Sequence, residues 1–238
     1  MKKAIVIGAT SGIGRELALH LSHEGYTVCA TGRRTELLDS LQSELTSSSL
    51  IRRMDVSKPS EAIEILKDII ADLGGVDLVV VSAGTGFLDP ELTWEKDSRT
   101  IDVNVTGFTA IANAAYHQFE EQGFGHLVGI SSLAALRGGG DAPAYNASKA
   151  FMSNYLQGLR QRIAKLNVPI HVTDIRPGFV DTEMAKGDGL FWVQSPRKAA
   201  GQIYEAIKRK RKVAYITKRW RLIAWVLKVL PDAIYNRI

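Results

Sequence analysis

Only one cysteine, Cys29, occurs in the 238 residues. That excludes an internal disulfide framework and makes the reducing cytoplasm the expected location. No grouping of cysteine, histidine and carboxylate carries the spacing of a metal site, so no metal is expected. Long apolar runs are also missing, and none reaches the length needed to span a bilayer. The amino-terminal MKKAIVIGA starts like a leader peptide, but its apolar run is short and passes directly into a glycine-rich turn. It reads as a first strand. Neither sign of charge dominates, the net value being +5. Basic residues do crowd into KRKRK (208–212) and KRWR (218–221), yet no nucleic-acid-binding motif accompanies them. Such clusters are usually solvated faces, with an anionic membrane as the more specific reading.

What is present suits one folded unit with an ample core, since hydrophobic residues make up 45% of the chain. Short β-branched runs at 3–8, 27–31, 50–54, 77–81, 126–130, 170–175 and 213–217 alternate with helix-period stretches near 12–24, 35–46, 59–73, 93–121, 144–166 and 197–210. That alternation implies an α/β fold, a Rossmann-type doubly wound parallel sheet of about seven strands with helices on both faces. The strands are almost continuously apolar, as burial on both sides requires. Residues 1–217 are expected to form the catalytic domain, with 218–238 as its extension.

The first strand leads into GATSGIG, where Gly8, Gly12 and Gly14 precede a helix pattern, with Thr10, Ser11 and Ile13 between them. Glycines there permit a tight turn and let backbone N–H groups approach a pyrophosphate at a helix N-terminus. The second strand ends in TGRR. A carboxylate at that place would bind a ribose 2′-hydroxyl; Arg33 and Arg34 instead suit a 2′-phosphate, which favours NADP(H).

Two tyrosines have a lysine one helical turn on: Tyr145 with Lys149, and Tyr204 with Lys208. With seven tyrosines in the chain, the spacing alone distinguishes neither. Together, GATSGIG, the arginine turn and YNASK resemble the short-chain dehydrogenase/reductase family across nearly all of residues 1–217. The resemblance implies hydride transfer between a nicotinamide cofactor and a carbonyl or alcohol. It assigns catalytic roles to Asn104 of NVTG, to Ser132, thirteen residues before Tyr145, and to Tyr145 and Lys149. It places Asp55 and Val56 beside the adenine, Ala83 and Gly84 under the adenosine half, and Pro177, Gly178, Val180 and Thr182 at the nicotinamide carboxamide. The family's usual Asn-Ala-Gly is Ser82-Ala83-Gly84 here. The same comparison removes the second pair, because Phe191 stands thirteen residues before Tyr204.

By this resemblance Tyr145 is the proton donor and Lys149 holds the nicotinamide ribose. A nearby ammonium is expected to lower the tyrosine's pKa. Ser132 polarises the carbonyl, and Asn104 holds a water that relays protons. Cofactor contacts therefore include Asn104, Tyr145 and Lys149. Carbonyl reduction is the expected direction, since NADPH is chiefly a reductant. A non-catalytic dinucleotide sensor would not need the complete Ser, Tyr, Lys and Asn set. A sugar-nucleotide epimerase would show different glycine spacing and a longer carboxyl-terminal part.

Residues 183–195 are expected to form a substrate lid, in which Phe191 and Trp192 favour a bulky apolar ketone and Gly187 and Gly189 permit movement. Beyond 217, the stretch Trp220 to Leu230 is apolar with interspersed basic residues. It suits either a helix packed on the protein, covering the substrate cleft or a subunit contact, or one lying on a membrane surface. Trp220, Ile223 and Leu227 fall along one face and Arg221 and Lys228 on another. A homo-oligomer, dimer or tetramer, is expected.

Overall fold

The computed structural model describes residues 1–46, 48–183, 192–217 and 219–236. The strands are β1 (Lys3–Ile7), β2 (Thr27–Gly32), β3 (Leu50–Arg53), β4 (Leu78–Val81), β5 (Gly125–Ile130), β6 (Ile170–Pro177) and β7 (Val213–Ile216). All pair in parallel in the order β3-β2-β1-β4-β5-β6-β7, giving the Rossmann-type doubly wound sheet. Chain order runs outward in both directions from β1 and β4, so the loops leaving these strands diverge and open a crevice at their carboxyl ends.

Period-two alternation divides the core into two layers. Ile5, Ile7, Cys29, Val79 and Val81 point to one side, against α3 (Pro59–Leu73), α5 (Phe108–Gln122) and α6 (Pro143–Ile163). Ala4, Val6, Val28, Ala30 and Val80 point to the other, against α1 (Gly12–His23), α2 (Thr35–Gln42) and α7 (Pro196–Lys208). Both faces are covered, so every residue of β4 and β5 is buried, which explains their apolar runs. The one polar side chain among them, His126, is bonded to Thr173 Oγ1 at 2.8 Å.

The helical stretch expected over 93–121 is interrupted. α4 (Trp94–Ile101) passes into a π-helical turn, Asp102–Gly107, before α5 begins. Wider turns of this kind re-aim side chains and are frequent at functional sites. This one contains Asn104.

Residues after β7 form α8 (Trp220–Val229) and α9 (Asp232–Tyr235). Trp220 is buried, meets Phe179 edge-on at 5.3 Å between ring centroids, and lies so close over Gly178 that any Cβ there would collide with its indole. Arg137 clamps the end of the tail: its guanidinium donates to Leu230 O at 2.8 Å, pairs with Asp232 at 2.9 Å and lies over the Tyr235 ring. The inner face of the tail therefore packs on the Rossmann body. The two basic clusters, adjacent in sequence, are separated by β7: KRKRK sits at the amino end of that strand and α8 follows its carboxyl end. Four strand residues put roughly 13 Å between them.

Candidate active site

A cavity of about 980 Å³ occupies the crevice at the carboxyl ends of the strands. Its dinucleotide half begins at the turn between β1 and α1. Gly8 adopts φ 88° and Gly12 φ 56°, conformations that side chains disfavour, and a Cβ on Gly14 would collide with the Gly8 carbonyl. Ser11 occupies the N-cap of α1 without a side-chain cap bond, and the first turn carries no acidic residue. The helix N-terminus thus offers uncapped N–H groups and a favourable dipole to an anion. Thr182 stands over this turn, its Cγ2 2.9 Å from where a Gly12 Cβ would lie.

At the rim, the Arg34 guanidinium donates to Thr10 Oγ1 at 2.9 and 3.2 Å and to Ser11 Oγ at 2.6 Å. It also pairs with Glu183 at 2.9 Å. Arg33 is exposed beside it. Burial works against ionisation of Asp55, but bonds from the Ser57 hydroxyl (2.7 Å) and amide (3.1 Å), with Arg33 and Lys58 nearby, hold its carboxyl below the usual range. Asp55 and Val56 line the wall opposite Ala83 and Gly84. A cradle of close-packed glycines, an uncapped helix N-terminus and two rim guanidiniums fits a phosphorylated dinucleotide.

The catalytic half is assembled from three elements. Ser132 lies two residues beyond β5 and caps the following 3₁₀ turn, its Oγ accepting from Ala134 N at 3.1 Å. Tyr145 and Lys149 lie on the first turns of α6, where Pro143 suits the helix start. The backbone of Gly86 covers the Tyr145 ring so closely that a Cβ there would collide with it. Lys149 is buried, 5.7 Å from the Tyr145 ring centroid, and donates to Ile130 O at 3.0 Å. Asn104 is wholly buried beneath the cavity. Its Oδ1 accepts from Thr85 N at 2.8 Å; its Nδ2 donates to Thr85 O at 2.7 Å and to Ser148 Oγ at 2.9 Å. Ser148 in turn donates to the Tyr145 carbonyl at 2.7 Å. Asn104 thus fastens the loop after β4 to the helix that carries Tyr145 and Lys149.

Burial lowers the Lys149 pKa to about 8, opposed by the buried carboxylate of Asp174. Asp174 accepts from the Ser131 hydroxyl and pairs with Arg176 at 2.7 Å. Burial likewise raises the Tyr145 pKa, opposed by hydrogen bonding with Ser132. This differs from the expected lowering by Lys149. Both groups are desolvated, and the ammonium, 5.7 Å from the ring centroid, has one of its donors on Ile130 O. The upward shift keeps the tyrosine protonated.

Of the sequence-predicted site residues, Asn104 alone does not line the cavity; Ser132, Tyr145, Lys149 and the sixteen others assigned to the cofactor do. Tyr204 lies elsewhere, on α7, bonded to Glu24 at 2.9 Å and packed on His20 at 4.8 Å. Partial burial and Glu24 push its pKa to about 12. Missed in sequence were Phe87, Leu88, Leu133 and Tyr235, which line the substrate half, and the pairing of Glu183 with Arg34. None carries a motif, whereas Ile223 and Leu227, on the apolar face of the tail, do line the cavity as the cleft-covering reading expected. Of the expected lid, residues 184–191, including Gly187, Gly189 and Phe191, lie outside the described residues. Its base is framed by Asp181 N to Gln194 O at 2.9 Å and Gln194 N to Phe179 O at 3.0 Å.

Known proteins resemble this chain in sequence and in fold. An oxidoreductase of Myxococcus xanthus (strain DK1622) is 36% identical over 247 aligned positions, covering 99% of this chain and 95% of that protein. The closed form of a serine dehydrogenase complexed with NADP+ superposes with a TM-score of 0.81 at 27% identity, over 90% of this chain and 94% of the other. A variant of the actinorhodin polyketide ketoreductase with NADPH gives 0.80 at 26% identity, over 90% and 95%. The profile described as short chain dehydrogenase matches residues 2–189, and with the site geometry it establishes that the chain belongs to the short-chain dehydrogenase family.

Proposed function

We propose that the protein is an NADP(H)-dependent carbonyl reductase whose substrate is a bulky, largely apolar ketone. The observation that carries this reading is the convergence of Ser132, Tyr145 and Lys149 on one wall of a cavity whose other end has the glycine cradle and the arginine pair. The two solved structures above, named with NADP+ and NADPH, support the same cofactor. When bound, the cofactor supplies the hydride. The Ser132 hydroxyl orients the carbonyl oxygen, and Tyr145 Oη delivers the proton that neutralises the charge gathering there. Lys149, kept cationic below pH 8 with help from Asp174, stabilises the phenolate left behind. Asn104 holds Thr85 and Ser148 and so fixes the height of Tyr145. Both its amide donors are committed, which holds the side chain in one orientation.

The substrate class follows from the walls. Phe87, Leu88, Leu133, Ile223 and Leu227 present apolar surface, and Arg137, which also lines the cavity, has its guanidinium engaged by Leu230 O and Asp232. Screening NADPH oxidation across ketone classes tests this. Long-chain or polycyclic ketones are expected to show higher kcat/KM than acetone-sized or charged ones. A preference for small polar carbonyls would overturn the assignment.

The buried lysine also sets a pH dependence. Its pKa is depressed, so it loses its proton as pH rises through about 8, whereas Tyr145, shifted upward, remains protonated there. For reduction, kcat/KM is expected to decline on the alkaline side of this value. A pH–rate profile flat through this range would separate the Lys149 charge from the chemistry.

A further inference from the structure

Helix α8 has two apolar faces, and the body of the protein uses only one. Trp220, Ile223, Ala224 and Leu227 turn inward, closing the substrate side of the cavity. Leu222, Trp225, Val226 and Val229 turn outward at the i, i+3, i+4, i+7 spacing of a single stripe. Leu222 is 70% and Trp225 66% exposed, which is unusual for side chains of this size on a helix so well anchored. At 100° per residue the stripe is flanked by Arg219 on one edge and by Arg221 and Lys228 on the other, all exposed.

We propose that this outer face docks the protein on an anionic bilayer surface, with Trp225 at headgroup level and the three cations reaching lipid phosphates on either side. Three observations favour a bilayer over other occupants. Residues 218–238 carry five cations and one carboxylate, and that carboxylate, Asp232, is paired with Arg137. A symmetric contact with a second copy would set the same patch against itself, cation facing cation. Tryptophan with long basic side chains along the edges of an apolar stripe is the composition suited to the water–lipid boundary. Among the described residues no helix is long and apolar enough to cross a membrane, so the contact is peripheral. The inner face of this helix lines the catalytic cavity, so docking brings the lipid phase beside the cavity wall. The docking rests on the surface itself; only the further step, that the ketone partitions into the bilayer, rests on the reading of a carbonyl reductase.

Co-sedimentation of the full chain with phosphatidylcholine vesicles, with and without phosphatidylglycerol, tests the proposal. Wild type is expected to pellet with the anionic vesicles at low salt, less so at high salt, and weakly with phosphatidylcholine alone. Leu222→Ser with Trp225→Ser should abolish pelleting. Arg221→Gln and Lys228→Gln should each weaken it roughly fivefold, the equivalent of about 1 kcal/mol per cation. Leu222 and Trp225 stand outside the cavity, so the double variant should keep wild-type turnover of a water-soluble ketone. Wild type remaining in the supernatant at low salt, or the double variant pelleting normally, overturns the proposal. So does light scattering in which the double variant falls to a smaller oligomer, which would give the face to a second copy. Lack of turnover with every ketone would defeat the carbonyl-reductase reading and leave the vesicle result standing.

Discussion

Tyr145→Phe is expected to cut ketone reduction by about 10²- to 10⁴-fold, the usual worth of a positioned proton donor, while NADPH affinity stays near that of wild type. The phenyl ring retains its place beneath Gly86, and the Ser148 bond goes to the Tyr145 main-chain carbonyl, so the substitution removes only the hydroxyl. Tyr204→Phe is the matched control. It loses one bond to Glu24 on the outer surface of α7 and should leave turnover within about twofold of wild type. Steady-state kinetics with a cofactor titration separates the two effects. Turnover by Tyr145→Phe within a few-fold of wild type would remove this residue from the proton-transfer step.

Arg33→Ala is expected to weaken NADPH binding by roughly 10- to 150-fold, the equivalent of about 1.5–3 kcal/mol for a charge-assisted bond. NADH binding should change little, since NADH has no 2′-phosphate. Arg33 is the arginine to test because it is exposed at the rim, whereas Arg34 is already engaged by Thr10, Ser11 and Glu183. Glu183→Gln provides an effect of opposite sign. It frees the Arg34 guanidinium from a carboxylate that stands where a phosphate oxygen would compete, and should tighten NADPH binding by up to roughly fivefold, the upper range for an exposed pair. Fluorescence titration with both cofactors reads each change. Wild type preferring NADH would refute the reading of the arginine pair.

The elements most legible in the sequence were those specified by local chemistry. The strands were readable as short β-branched runs, most clearly in the centre of the sheet where both faces are covered. Each of the seven differs from its expected range at one end by one or two residues. The turn at Gly8, Gly12 and Gly14 was readable because its backbone geometry and close contacts exclude side chains. The helical stretch over 93–121 was harder. Hydrophobic periodicity averages over several turns, so it does not register a π turn that inserts extra residues around Asn104. The shift of the Tyr145 pKa was also misjudged. Helical spacing places Lys149 near the ring, but it says nothing of the desolvation both groups undergo or of the Ile130 carbonyl that takes the ammonium.

The tail shows most plainly where local information stops. Periodicity from Trp220 to Leu230 gives a helix with Trp220, Ile223 and Leu227 along one face and Arg221 and Lys228 on another. Packing on the protein explains that pattern somewhat better than membrane contact, and the pattern does not reveal the second apolar stripe. Contacts with Gly178 and Phe179, and the Arg137 clamp, decide that Ile223 and Leu227 close the cavity while Leu222 and Trp225 remain outside. By itself the sequence carried the alternation of a parallel α/β sheet and the glycine turn, because each is written in residues close together in the chain. The choice of Asn104, Ser132, Tyr145 and Lys149 came from the family resemblance, since local spacing alone did not separate Tyr145 from Tyr204. Only the tertiary structure decided which wall each side chain faces, how its proton affinity shifts and which residues line the cavity. Those properties come from burial and charge contributed by segments distant in the chain, such as Asp174 beneath Lys149 and α8 over the cavity.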